Sequence, residues 1–248
     1  MVCERCPLRG DSVFGVFLSR TDRQAEQPHS VRRFGKRQVV LREGEVPEGV
    51  YCIRSGLLKR SVGDPQGNRK ILEILGPGDL LGVESISGNG SRAAEAATLE
   101  ASELCFFHRR DLPELVKGAP DFAMALAAYA GERLARAERE LADLSLKSAK
   151  QRLSSALLAL GRRFGKRTPR GVLLDLPISR SELANLVGIA LATASRLCRE
   201  LKDEGAIRTR GRQMFIVGWG KLEEDNGEDL EACLEPRAPS GLTPFPTR

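Results

Sequence analysis

The chain has 248 residues, 41% of them hydrophobic, which is enough apolar material for a core in each of one or two domains. No run approaches 18 uninterrupted apolar residues, and no basic stretch leads into an apolar one at the start, so a cytoplasmic protein is expected and a secreted or membrane-spanning one is not. The net charge of +6 is uneven, because from Glu223 onward seven acids face only Arg237 and Arg248; the tail is −5, the rest of the chain is +11, and such a body favours a polyanionic partner.

Residues 1–29 read as an arm whose marked feature is Cys3-Glu4-Arg5-Cys6. From 30 to 120, short apolar runs are punctuated by glycines such as Gly49, Gly56, Gly63, Gly67, Gly76, Gly78 and Gly82. Gly49 to Arg54 and Lys70 to Leu75 alternate like half-buried strands. Turn signals return about every 8–12 residues, the pattern of an antiparallel jelly roll or barrel. Asp64-Pro65-Gln66-Gly67-Asn68 has the chemistry of a hairpin turn, and Gly76-Pro77-Gly78-Asp79 forces a second bend.

Residues 121–149 change texture. Alanine, leucine, arginine and glutamate dominate, with Gly131 the one glycine. Ala127, Leu134 and Leu141 are spaced seven apart, and Ala130, Ala137 and Leu144 form a parallel row. One row would be explained by packing against the helix's own domain. Two rows on so long a helix are the seam of a helix pair, so this helix is expected to dimerise the protein.

Residues 150–221 are compact and helical. Leu153, Leu157, Leu158 and Leu160 predict a helix ending near Gly161, followed by a basic loop with Arg162, Arg163, Lys166, Arg167 and Arg170. Leu173 to Ile178 is a short strand closed by Pro177. Ser179-Arg180-Ser181-Glu182 is a cap with its acid three residues on, opening a short helix through Leu186. Gly188 sits in the turn, and a second helix runs from about Leu191 to Asp203. Two strands around Gly211 then make a basic wing. Residues 222–248 are acidic, then proline-rich, and are expected to be disordered.

A helix, a glycine turn and a second helix place the second helix's first half against base edges in a DNA major groove. That half offers Ala192, Thr193, Ser195, Arg196 and Arg199. Arg196 is the natural base reader, because a guanidinium fork matches the two acceptors on a guanine edge. Ser195 can donate to a base or a phosphate. Arg180, Lys202, Arg208, Arg210 and Arg212 stand where phosphates would pass, and such contacts position without specifying. No Walker loop, nucleophile elbow, HExxH or paired-carboxylate motif is present, so an enzyme is not expected.

Taken together, the chain resembles the Crp/Fnr family of transcription regulators over residues 3 to 221. The resemblance rests on Tyr51-Cys52-Ile53-Arg54-Ser55-Gly56, Gly76-Pro77-Gly78-Asp79-Leu80-Leu81-Gly82, Ile178 to Ala184, Leu186-Val187-Gly188 and Thr193-Ala194-Ser195-Arg196-Leu197. It implies an α+β fold: an N-terminal cyclic-nucleotide-binding-type β-roll (jelly roll), a long dimerisation helix and a C-terminal winged helix-turn-helix. It also implies a homodimer on a palindromic operator, with double-stranded DNA and RNA polymerase as partners, and Ser195 and Arg196 touching DNA. Where many members carry a glutamate three residues before that serine, this chain has Ala192, so a different preference at that base pair is expected.

Three readings of the β-roll compete. A cyclic nucleotide would use Gly82, Glu84 and Arg92, but the carboxylate is one position late and Ala93 follows the arginine where a hydroxyl belongs. An iron–sulfur cluster would use Cys3, Cys6 and Cys105, by resemblance to the oxygen-sensing branch of the family. Ser12 stands where that branch has a third N-terminal cysteine, and three thiolates fall short of the usual four. The third reading is no cofactor, or an unrecognised small effector, with the cysteines as core filler. The alternative to a DNA-binding regulator is an effector-binding module that regulates a protein partner without specific DNA binding.

Overall fold

The computed structural model describes residues 13, 29–87, 94–118, 120–211 and 213–226. Cys3, Cys6, Arg92, Arg212 and the tail beyond Asn226 lie outside the described residues. The chain divides into two compact units, the first ending at Leu134 and the second beginning at Ala135.

The first unit is built from two four-stranded antiparallel sheets. One orders β1 (His29–Phe34), β8 (Ser102–His108), β3 (Gly49–Ser55) and β6 (Leu80–Leu81). The other orders β2 (Val39–Leu41), β7 (Glu95–Thr98), β4 (Leu58–Gly63) and β5 (Arg69–Leu75). The central strands β3 and β8 read as nearly continuous apolar runs because both their faces are covered. Tyr51, Ile53, Leu104 and Phe106 point into the roll with Leu58, Leu75 and Leu81. Val50, Cys52, Cys105 and Phe107 point the other way, into a layer completed by Val13, Leu80 and helical residues. Burying each of the larger side chains contributes about 1.5–3 kcal/mol.

The two expected turns form as the sequence suggests. Asp64 accepts hydrogen bonds from the Asn68 backbone N–H and side-chain amide, both at 2.8 Å, closing the β4–β5 hairpin. Asp79 accepts from the Gly76 N–H at 2.7 Å. Helix α1 (Leu112–Gly118) adds Leu112 and Leu115 to the outer layer. Helix α2 (Pro120–Leu146) adds Phe122 and Ala125 from its first turns. The Tyr129 hydroxyl of α2 accepts from the Leu80 N–H at 2.9 Å and donates to the Leu80 carbonyl at 3.2 Å, fastening the helix to β6. Ala127, Ala130, Leu134, Ala137, Leu141 and Leu144 are all exposed on α2, with Leu134 at 62% and Leu141 at 68%.

The second unit begins properly at α3 (Ala149–Phe164), opened by a capping box between Ser148 and Gln151. The sequence predicts a stop near Gly161, but the helix runs on to Phe164. Gly161 is a packing glycine: a Cβ there would stand 2.8 Å from both Ile216 Cδ1 and Trp219 Cζ3. The expected basic loop is partly a strand, since β9 (Lys166–Thr168) pairs with β10 (Gly171–Leu174). With β12 (Gln213–Ile216) and β11 (Ile207–Arg210) they form one antiparallel sheet, ordered β11-β12-β10-β9. Between β10 and β11 lie α4 (Arg180–Val187) and α5 (Leu191–Asp203).

The boundary of the expected disordered tail, placed at residue 222, falls inside a helix. Helix α6 (Trp219–Asn226) packs against α3 and buries Leu222, Glu223 and Asn226. Burying the Glu223 carboxylate is tolerable because it is paired: it accepts from Trp219 Nε1 at 2.7 Å and from Arg162 at 3.2 Å. Asn226 accepts from Lys147 at 2.7 Å and from the Ser155 hydroxyl.

Candidate nucleic-acid interface

Helix α4 opens at Ser179, whose hydroxyl accepts from the Glu182 N–H at 3.1 Å while Glu182 accepts from the Ser179 N–H at 2.8 Å. This reciprocal cap satisfies two donors that would otherwise be orphaned, so the helix starts at a defined residue. Its end is equally defined: Gly188 adopts φ +75°, the left-handed region in which a Cβ is costly. The chain then re-enters a helix within three residues, which fixes the pair as a tight helix-turn-helix.

Ala194, Leu197, Cys198 and Leu201 form the buried face of α5. They fall at i, i+3, i+4 and i+7, so one stripe is committed to the core and the opposite one to solvent. Leu191, Ala192, Arg196 and Arg199 are exposed, and Thr193 and Ser195 are half-buried beside them. Arg180, at the first position of α4, is exposed and interacts with the Cys198 thiol. Burial pushes that thiol up from its ordinary value, and the guanidinium opposes the shift without cancelling it.

The wing is the β11–β12 hairpin. Ile207 is fully buried, while Arg208 and Arg210 are exposed, the period-two alternation of a strand with one dry face. The structure therefore brings Arg180, Thr193, Ser195, Arg196, Arg199, Arg208 and Arg210 into one unit, with one stripe of α5 facing solvent. Two participants were not singled out from sequence. Glu200 contacts Arg196 at 3.3 Å and Lys150 at 3.6 Å, and Lys150 also contacts Glu204 at 2.7 Å and Asp225 at 3.4 Å. The i, i+4 spacing of Arg196 and Glu200 was the one local sign of this cluster.

The β-roll candidates are placed differently. Gly82 has φ +74°, and a Cβ there would stand 2.5 Å from the Gly49 carbonyl, so its glycine is needed for a close backbone approach. Glu84 is on a 3-10 turn (Val83–Ser87), not on a strand. It is ion-paired with Arg60 at 3.4 Å. Arg60 also reaches Glu73 at 2.6 Å, and the same Glu73 oxygen receives Arg133 of α2 at 2.7 Å. Cys105 is buried in the outer layer, in register with Cys52 on the neighbouring strand. Among the described residues, no group of three or more His, Cys, Asp or Glu is placed to hold a metal ion, and no helix is long and apolar enough to cross a membrane.

Comparison with known proteins follows this division of the chain. A cyclic nucleotide-binding domain family matches residues 31–118, and a Crp-like helix-turn-helix domain family matches residues 151–225. The cyclic AMP receptor protein of Thermus thermophilus is 32% identical over 193 residues, covering 78% of this chain and 86% of that one. The chain belongs to the Crp/Fnr family of transcription regulators. The transcriptional activator protein FnrL of Cereibacter sphaeroides, 26% identical over 237 residues, covers 94% of each chain. Among solved structures, FixK2 from Bradyrhizobium japonicum is similar with a TM-score of 0.71 and 25% identity, over 79% of this chain and 96% of that one. As a Crp/Fnr protein, the chain is a DNA-binding transcription regulator carrying the family's β-roll, long helix and helix-turn-helix in that order.

Proposed function

We propose that this regulator binds a palindromic operator in the cytoplasm as a homodimer, reading bases with Arg196 and Ser195. Thr193 and Arg199 share the helix half that faces the bases, Arg180, Arg208, Arg210 and Arg212 are assigned to backbone phosphates, and RNA polymerase is the partner it meets on DNA. The carrying observation is the sided helix α5: one stripe is locked into the unit's core and the opposite stripe is exposed, with Arg196 at 68%. The exposed rows of α2 support the dimer. Leaving Leu134 and Leu141 in water forfeits burial that a second copy of the helix would restore. A gel shift with genomic fragments tests this reading: a shift that weakens steeply with salt is expected, and no shift at low salt favours the protein-partner module instead.

For the signal, the charge network of the β-roll speaks against a cyclic nucleotide. Glu84 is engaged by Arg60, and Glu73 supplies the anion that Arg60 and Arg133 receive. A regulator without a cofactor, or with an unrecognised effector, is the reading this favours. The iron–sulfur reading keeps one specific support. Val13 is buried in the same layer as Cys105, and Cys6 stands seven positions before Val13 in the sequence. If a cluster binds, Cys3, Cys6 and Cys105 would hold it, and it would supply oxygen-sensitive redox chemistry. Anaerobic purification with iron and sulfide analysis decides between them. A brown chromophore lost in Cys3→Ser, Cys6→Ser and Cys105→Ser, but kept in Cys198→Ser, establishes the cluster; a colourless, iron-free protein removes it.

A further inference from the structure

Arg196 does not stand alone on the exposed stripe of α5. One turn on, Glu200 takes its guanidinium at 3.3 Å through one carboxylate oxygen and faces Lys150 at 3.6 Å through the other. An exposed i, i+4 ion pair shifts side-chain populations by only about twofold, too little by itself to fix an arginine. Here the acid is held from behind. Lys150, in the first turn of α3, is only 24% exposed and sits among Glu200, Glu204 and Asp225. With three carboxylates around it, the ammonium stays charged, and its hydrogen bond to Glu204 raises its pKa further. The Glu200 carboxylate therefore has a cation on each side, Arg196 on its own helix and Lys150 on α3, and the Lys150 charge biases it toward a position from which it accepts from Arg196.

This changes the choices open to Arg196 on DNA. Without Glu200, a long cation on a groove-facing helix finds a phosphate on any sequence, which adds affinity and no selectivity. With Glu200, the arginine has an intramolecular partner that competes with phosphate. A guanine edge offers two acceptors in the groove and, unlike a phosphate, is neutral and not repelled by the Glu200 carboxylate. The carboxylate also repels any phosphate that approaches in the arginine's place.

We propose that Glu200, anchored by Lys150, is a specificity-determining residue that positions Arg196 toward base edges and withholds it from backbone phosphates. This rests on the reading of α5 as the helix in the groove. The test uses the full chain, an operator duplex selected with wild type and an unrelated duplex. Glu200→Gln keeps the size and an acceptor but removes the charge. It is expected to raise affinity for the unrelated duplex about threefold, to steepen the salt slope by about one unit, and to flatten the preference at the base pair Arg196 reads. Lys150→Met, which frees Glu200 without touching it, is expected to move the same preference in the same direction. In an Arg196→Ala background, Glu200→Gln is expected to leave that preference unmoved. A Glu200→Gln protein with the wild-type preference, binding all sequences more tightly by one factor, overturns the proposal and makes Glu200 a general repulsive charge. An unchanged motif in Arg196→Ala alone overturns the groove assignment instead, and the proposal with it.

Discussion

At the scale of single residues, Gly82 shows how a structural need can look like a ligand signature. Its place in the family-like run Gly76 to Gly82 points to an effector contact, whereas its left-handed φ and the Gly49 carbonyl, 2.5 Å from where a Cβ would stand, explain the glycine fully. Gly82→Ala is therefore expected to cost the first unit about 2–4 kcal/mol in chemical denaturation, with or without effector present. Cys198 carries a pH signature. Its folded thiol is raised by burial above the ordinary 9.0, so folding favours the protonated form. The folded state then holds more protons than the unfolded one above that pH, and stability falls as pH rises from about 9 through the folded value. Urea melts at pH 7, 9 and 10 should show this fall in wild type and a shallower one in Cys198→Ala. Neither residue's role was legible beforehand, because each depends on what the fold brings in: the Gly49 carbonyl of β3 for Gly82, and for Cys198 burial in the unit's core, which Arg180 only partly offsets.

Among elements, the helix-turn-helix was read almost to the residue, and the reason is locality. Ser179 and Glu182 are three positions apart, Gly188 needs only its own φ, and the buried stripe of α5 lies within one helix. The ends of α3 and the tail were misplaced because Gly161 and Glu223 answer to residues dozens of positions away, Ile216 and Arg162 among them. The division of labour on the DNA-binding unit gives a direct comparison. Arg196→Ala is expected to cost about 1–3 kcal/mol on the preferred site and to relax one base pair, as loss of a two-pronged base contact does. Arg210→Ala, on the wing, should weaken all sequences alike and reduce the salt slope by about one unit. Binding-site selection on both variants separates them, and equal behaviour would place the wrong element in the groove. In the β-roll, Glu73 joins β5 to α2 by receiving Arg60 and Arg133 on one oxygen. Glu73→Gln leaves two largely buried arginines without their shared anion, at an expected cost of about 3 kcal/mol by thermal or denaturant melting.

For the molecule as a whole, the long helix was legible because its apolar rows repeat every seven residues, and those rows are the ground on which a seam is proposed. Every one of the six row positions is exposed within the single chain, whereas Phe122 and Ala125, outside those rows, are the ones its own unit buries. A Leu134→Glu, Leu141→Glu double change places two charges in the seam and should yield monomers. Their affinity for a two-half-site operator should fall at least about a hundredfold, because the second half-site is no longer held in place by the first. Sedimentation checks the first expectation and a titration of operator DNA the second; a double variant that sediments as a dimer would show that another surface joins the copies.

Helix α6 carries a consequence for how the DNA-binding unit opens and closes. A segment that sequence composition assigns to a floppy tail is tied to α3 through Glu223 to Arg162 and Asn226 to Ser155, with Leu222 buried, so its backbone amides are shielded for as long as α3 is folded. In deuterium-uptake experiments, residues 222–226 should therefore exchange on the slow timescale of α3, as part of one cooperative unit. The Arg162→Ala variant, by removing one tie, should let them exchange ahead of it.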